Sequence, residues 1–189
     1  NGGGLMGGAV QLSNFFLPEG SVIVSTEGMR VPPDRIVAKE DGPFTKGKVI
    51  VLVNETSASA SEIVSGAIQD LLIGRRTFGK GLVQRQFPLQ DGSAVRLTVA
   101  RYHTPTGRMI QRPYENGNLD AYYEDFNKRF EPGASDSVGG DTTQRFKTLH
   151  SGRTVYGGGG ITPDIVVPLD TSDYTKYWGS LVRQGVINE

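Results

Sequence analysis

At 189 residues the chain has room for one domain with a full core and is short for two. Its 20 basic and 20 acidic residues cancel, so neither nucleic acid nor an acidic membrane surface is expected as a partner. The absence of cysteine excludes thiol chemistry, no apolar run approaches the roughly 18 residues of a membrane span, and His103 and His150 stand in no HExxH-like pattern, so no metal site is expected.

The chain opens on Asn1 without Met or leader, as a fragment or processed form would. Its 26 glycines are about twice ordinary usage. They cluster at 2–8, 79–81, 139–140 and 157–160, where backbone is expected to approach backbone or substrate closely. A strand-like edge at Asn1 to Gly4 leads into a helix whose face is Leu5, Ala9, Leu12 and Phe16, stopped by Pro18-Glu19-Gly20. Residues 21–25 (SVIVS) read as a strand. The tract 30–47, with Pro32-Pro33 and an Asp41-Gly42 turn, reads as a surface excursion holding a short hairpin near 35–39. The apolar run 48–53 (KVIVLV) reads as a buried strand. A helix follows over about 60–70, with Ile63, Ala67 and Leu71 on its apolar face and Val64 and Ile68 beside them.

Further on, strands at 83–89 and 94–102 flank Gln90-Asp91-Gly92-Ser93, a hairpin signal, with Val95, Leu97 and Val99 on the buried face. Residues 105–107 turn into a short strand at 108–111, and His103 in this region is expected to be structural. Leu119, Tyr122, Tyr123 and Phe126 form an aromatic helical stripe of the packing kind. Residues 131–143 are polar and Gly/Ser/Asp-rich, hence expected to be flexible. Residues 154–156 and 165–169 return the chain to the sheet, and Ser172 caps a last helix over 173–184 that Gly185 ends. Strands and helices so interspersed give an α/β fold, a mixed sheet sandwiched with helices, in one domain over 1–189.

Chemistry concentrates in 54–84, NETSASASEIVSGAIQDLLIGRRTFGKGLVQ. Three alternating serines, Ser57, Ser59 and Ser61, stand where a strand turns into a helix. There the backbone N–H groups are unpaired and the helix dipole is positive, a setting that can hold an oxyanion. A serine nucleophile needs a base, and Lys80 in TFGKG is the remaining candidate. A lysine serves near neutral pH only if desolvation lowers its pKa from about 10.4 to about 7–8; glycine on both sides lets backbone close over the ammonium. Gln84, two pleats along a strand, points the same way and could orient it. Blander readings stand beside this one. Ser59 and Glu62 form a capping box, so Ser59 could be a helix cap only. Gly74-x-x-x-x-Gly79-Lys80 matches most of a phosphate-binding loop. Gly81, however, replaces the residue that would hold magnesium, and strand-like VQRQF follows where a helix is required.

SASASEI, TFGKGLVQ, DGSAVRLTVARYHTPTGRMIQ and GGGGITPDI, in this order, resemble the blocks of the carboxy-terminal processing (tail-specific) serine peptidases across essentially the whole chain. The resemblance implies a crotonase-like (ββα) sandwich core and an endopeptidase that cuts through an acyl-enzyme by a Ser-Lys dyad, with no metal or cofactor. It implies Ser59 as nucleophile, Lys80 as general base and Gln84 as its support. The oxyanion hole would be the N–H of Ala60 and a glycine of the Asn-x-Gly-Gly block at Asn1 to Gly4, namely Gly3. Unfolded or C-terminally tagged polypeptides as substrates, an extracytoplasmic and periplasmic location, and a PDZ domain and helical segments ahead of this core belong to the same implication, and homo-oligomerisation is compatible with it. The chain departs from the pattern twice. No PDZ region is present, and the interval from Ser59 to Lys80 is shorter than in the relatives, the difference falling between Asp70 and Leu71. Either the turn after the helix is truly shortened or residues are missing at that junction; the second reading is favoured, since a helix ending at Asp70 cannot easily reverse into LLIG without a turn residue.

Two other functions fit part of the pattern. A non-catalytic module could capture peptides by strand addition, and a crotonase-like thioester enzyme could use the same oxyanion hole, although neither needs Ser59, Lys80 and Gln84 together. Because Gly3 lies at the extreme N-terminus, where chains are poorly anchored, Ser59 and Lys80 are expected to face each other beyond hydrogen-bond distance. The 74–81 loop would then be displaced and the fragment weakly active or inactive.

Overall fold

The computed structural model describes residues 1–69, 71–114, 117–130, 141–149, 152–170, 177, 180 and 181. Asn1 to Leu5 form no strand, and the glycine run passes directly into helix α1 (Met6–Asn14). The buried side of α1 is Ala9 and Ser13, with Met6 and Val10 packed beside them, while Leu5 and Leu12 point outward. The expected Leu5–Leu12 stripe is therefore wrong by a rotation of the helix. Small residues at 9 and 13 let α1 lie close against α2 (Ala60–Ile68).

Strand β1 (Val22–Gly28) pairs antiparallel with β2 (Val31–Val37), so the predicted surface excursion is in large part a strand. Pro32 and Pro33 are tolerated because β2 is an outer strand of its four-stranded sheet and its pairing with β1 is irregular opposite them, between Thr26 and Gly28. The sheet is ordered β2-β1-β6-β5, with β6 at Ala94–His103 and β5 at Leu82–Pro88. Its other half is the predicted hairpin, β5 (Leu82–Pro88) with β6 (Ala94–His103). Here the expected inner face fails: Val95 and Leu97 are exposed, Leu97 at 51%, and burial begins only at Ala100 and Tyr102. The distal half of the hairpin overhangs the body, so alternation there has no core to face.

A second sheet, β3 (Ile50–Val53), β4 (Leu71–Gly74) and β9 (Ile165–Val166), is parallel, and α2 is the crossover from β3 to β4. The KVIVLV run is buried on one side only. Val53 and Leu72 enter the core, but Leu52 is 77% exposed. Helix α2 ends at Ile68 because Gln69 adopts a left-handed conformation, φ 50°, which reverses the chain in fewer residues than a helix continued to position 70 would allow. Asp70 and its junction with Leu71, where missing residues were expected, lie outside the described residues. The reversal is held from far along the chain. Arg153 Nη2 donates to the Gln69 carbonyl at 2.8 Å and Arg153 pairs with Asp164, whose Oδ2 accepts from the Leu72 N–H at 2.8 Å.

Helix α3 (Leu119–Lys128) starts at Asn118, whose side chain accepts from the Ala121 N–H. Strand β7 (Asp141–Lys147) pairs with β8 (Thr154–Gly157), so 141–143 are strand and not the flexible tract expected; 131–140 lie outside the described residues. Residues 108–111 make a single bridge, His103 to Met109, instead of a strand. They are gripped by the glycine run, with Gly158 N donating to Met109 O at 2.7 Å and Gly160 N to Ile110 O at 2.9 Å. His103 sits 3.6 Å from Glu27 on the sheet. His150 and the last helix fall outside the described residues, except for Tyr177, Ser180 and Leu181, which are helical.

One core joins both sheets through α2. Ile23 and Val24, Val53, Ile63 and Ala67, Leu72, Tyr102, Ile110 and Ile161 meet there. No helix among the described residues is long and apolar enough to cross a membrane. Ile23, 0% exposed, should cost about 2–5 kcal/mol when cut to Ala, whereas Leu52→Ala should change stability by less than about 0.5 kcal/mol. Urea denaturation of the two variants checks this, and the opposite order would place the core on the other face of β3.

Candidate active site

The turn between β3 and α2 is built by its own polar side chains. Asn54 Oδ1 accepts from the Thr56 N–H at 3.1 Å and the Thr56 hydroxyl at 2.8 Å, and the Asn54 N–H donates to Ser57 Oγ at 3.1 Å. The chain then enters the helix through Ser59 at φ 55°, ψ −116°, a region L residues rarely occupy and one that persists only when its surroundings enforce it. Three contacts enforce it here. Ser59 N–H donates to Glu62 Oε2 at 2.9 Å, and the Ser59 carbonyl accepts from the N–H groups of Glu62 at 2.9 Å and Ile63 at 3.0 Å. The next amide, Ala60 N–H, has no acceptor among the described residues.

The glycine block lies against this turn. Gly3 has φ 96°, and a Cβ there would stand 2.5 Å from the Ala58 carbonyl and 2.9 Å from Ser59 Cβ, so only glycine fits. The segment is tied down, since Ala58 N–H donates to Asn1 O at 3.2 Å. Gly3 N–H itself is turned onto Asn1 Oδ1 at 3.0 Å, and it is the neighbouring Gly4 that lines the cavity.

Glu62 connects the serine turn to the lysine loop. Its carboxylate is 0% exposed and accepts four hydrogen bonds: Ser59 N–H and Lys80 N–H on Oε2, both at 2.9 Å, and Thr77 Oγ1 at 2.5 Å with Gly79 N–H at 2.8 Å on Oε1. Burial pushes this carboxyl above the usual carboxylate range, against the pull of those four donors. Its charge also raises the Tyr102 phenol, already driven well up by burial, so Tyr102 stays a neutral donor. Its hydroxyl lies 2.7 Å from the Lys80 carbonyl and 3.1 Å from the Ser59 carbonyl, a second bridge between the two segments. Arg108, lowered by burial to about 10, is held up in part by the same Glu62 charge.

The expected displacement of the 74–81 loop is therefore not found. Glu62 and Tyr102 hold it against the helix start, and Phe78 N–H donates to the Ser57 carbonyl at 2.9 Å. From outside, the Phe78 ring packs on Arg112, whose guanidinium lies 4.2 Å from the Phe78 centroid and 4.1 Å from that of Tyr122. Arg129 Nη1 donates to the Thr77 carbonyl at 2.8 Å. Of the α3 stripe, Tyr122 and Phe126 pack here as the spacing suggested, whereas Leu119 and Tyr123 are exposed. Gly79 is fixed as glycine by the same clamp, since a Cβ would meet Arg112 Cγ at 2.6 Å.

Ser59, Ala60, Lys80 and Gln84 line one cavity of about 380 Å³, floored by Ile63 and Met6. No hydrogen bond joins Ser59 Oγ to Lys80 Nζ among the described residues. The cavity is lined by a serine at a helix N-terminus, an open backbone donor beside it and a lysine, the kinds of group acyl transfer uses. The site residues singled out in the sequence are brought together, with Gly3 behind the wall. Glu62 and Tyr102 escaped the sequence reading in these roles. Glu62 was visible as the fourth residue of a capping box, but its contacts 15 to 18 positions away leave no local signature.

Residues 1–116 match the model of peptidase family S41. The carboxy-terminal-processing protease of Bartonella bacilliformis is 46% identical over 116 residues, 59% of this chain and 26% of that protein. The chloroplastic carboxyl-terminal-processing peptidase 1 of Arabidopsis thaliana is 39% identical over 109 residues, 56% of this chain and 22% of that one. Among solved structures, a photosystem II D1 C-terminal processing protease superposes with a TM-score of 0.58 at 29% identity, covering 88% of this chain and 32% of that one. The chain thus spans about a fifth to a third of the length of these relatives.

Glu62→Gln keeps the volume but turns an NH₂ group toward buried donors, which should cost about 1–3 kcal/mol for each donor left unsatisfied. Thermal denaturation should show a marked fall in midpoint. Glu124→Gln, which removes an exposed pair with Lys128, should show almost none. Equal midpoints for the two variants would contradict the role given to Glu62.

Proposed function

We propose that this chain, which belongs to peptidase family S41, is the peptidase core, residues 1–189, of a serine endopeptidase acting on unfolded or C-terminally tagged polypeptides. The observation that carries this is the shared cavity. It is lined by a serine held at positive φ at a helix start, by the next residue with its open N–H, and by Lys80.

In this mechanism Ser59 Oγ attacks the scissile carbonyl carbon while its proton passes to Lys80 Nζ. The carbonyl oxygen, now an oxyanion, is met by Ala60 N–H and by Gly3 N–H, which would leave Asn1 Oδ1 to do so. The C–N bond breaks, the leaving amine takes the proton from Lys80, and an ester remains on Ser59. Lys80 then takes a proton from water, whose oxygen attacks the ester carbon; the C–Oγ bond breaks, Lys80 returns the proton to Ser59 Oγ, and the acid product leaves. Gln84, on the same cavity wall, would orient the Lys80 amine. Ser59 and Lys80 are not hydrogen-bonded, but the backbone of both segments is already fixed by Glu62, so the approach requires side-chain rotation alone.

Strand β5 is the outer strand of its sheet and runs away from Lys80. Its free edge suits an extended substrate that adds as a further strand. An extracytoplasmic, periplasmic setting is proposed with this function and rests on the family likeness alone.

Digestion of denatured casein tests the assignment. Ser59→Ala and Lys80→Met should each lower the rate by roughly 10³-fold or more, while Ser61→Ala should keep most of it. Casein cleavage by purified Ser59→Ala at the wild-type rate would remove Ser59 from the chemistry.

A further inference from the structure

We infer that Arg96, with Gln86, is a specificity-determining pair that binds a substrate carboxylate at the far end of the Ser59 cavity. This rests on the peptidase function proposed above and narrows its substrates to peptides with a carboxylate near the scissile bond.

Three observations converge on it. Arg96 and Gln86 line the same cavity as Ser59 and Lys80, and no Asp or Glu contributes to its wall, so the Arg96 guanidinium faces this space without a fixed anion. The pair is placed by register. Gln86 stands directly opposite Arg96 across the β5–β6 hairpin, and Gln84 opposite Thr98 on the same face, so Gln84, Gln86 and Arg96 form a polar row leading out from Lys80. Finally, Arg96 is exposed on β6 and lacks the anchors that fix the more buried arginines. Arg75 holds Glu55 at 2.6 Å, Arg153 holds Asp164, and Arg129 donates to two carbonyls. Arg96 reaches only Gln86 Oε1, at 3.5 Å, and has no carboxylate partner among the described residues.

A guanidinium is a planar fork that matches a carboxylate with two parallel hydrogen bonds, and it keeps its charge at any working pH. The Gln86 amide beside it can give a third N–H to the same anion. An extended peptide laid along β5 advances about 3.3 Å per residue, as β5 itself does, so the step from Gln84 to Gln86 corresponds to about two substrate residues. Two chemical sources fit equally, the free C-terminus of a short tail and an Asp or Glu side chain.

Internally quenched peptides separate them. One set differs only by Glu or Gln at successive positions, up to four on either side of the scissile bond; a second pair ends in a free carboxylate or an amide. Wild type should prefer the carboxylate member of one pair by roughly tenfold in kcat/KM, the size of one charge-assisted hydrogen bond, and the responding pair identifies the source. Arg96→Gln should bring that ratio close to one, and Arg96→Glu should invert it in favour of a Lys at the same position. Binding of the same peptides to Ser59→Ala, by fluorescence anisotropy, reads the preference without chemistry. If peptides bind with an Arg96-dependent preference but wild type cleaves none, the peptidase function fails and the carboxylate site stands. If wild type cleaves with no carboxylate preference, or with a ratio that Arg96→Gln leaves intact, the carboxylate site is overturned and the peptidase function stands.

Discussion

A buried carboxylate with four donors is the contact on which the rest of this site depends. Glu62 belongs to the first turn of α2, yet it binds the amide that precedes the helix and three groups of a loop that follows the next strand. Taking an unpaired carboxylate out of water is among the costliest steps in folding. Once Glu62 is buried, the serine turn and the TFGKG loop must therefore close on it together. The register between them is then set by one side chain and not by the intervening chain, which explains how a compact helix-to-strand reversal at Gln69 is compatible with Ser59 and Lys80 lining one cavity.

The surrounding shells act on the same two segments. Tyr102 hydrogen-bonds both carbonyls from below, Gly3 presses on the serine turn, and Arg112 with the rings of α3 covers Phe78 from outside. The glycine run supplies the last contact, Thr77 N–H donating to Ile161 O at 3.0 Å and Ile161 N–H to Thr77 Oγ1 at 2.7 Å. The Thr77 hydroxyl thus accepts a hydrogen bond from Ile161 N–H and donates one to Glu62 Oε1. Such a shell suits a residue held at φ 55°, because strained backbone survives only where neighbours over-determine it. What is left unconstrained is what a reaction needs free: the Ala60 N–H and the side chains of Lys80 and Gln84.

Much of this was legible in the sequence because the signals were local. The β3–turn–α2 unit, the β5–β6 hairpin and the aromatic stripe of α3 each follow from periodicity or turn chemistry within a few residues, and the ordered blocks pointed to the serine and the lysine. What failed was information carried by tertiary placement. Val95 and Leu97 alternate correctly but lie on an overhanging hairpin, Pro32 and Pro33 looked like loop but sit on an outer strand, and Leu5 and Leu12 were outranked by the smaller Ala9 and Ser13 in facing α2. Glu62 is the instructive case, since its capping role is written in the sequence and its larger role in the lysine loop is not.

Intact-mass and peptide-mapping spectrometry after incubation with a fluorophosphonate tests the central claim most directly, because it reads the nucleophile and its activation without assuming a substrate. A single phosphonyl adduct on Ser59 in the wild-type chain, strongly slowed in Lys80→Met and in Glu62→Gln, is the expected result. An adduct on Ser57 or Ser61, or labelling of Ser59 at the same rate in Lys80→Met, would contradict it.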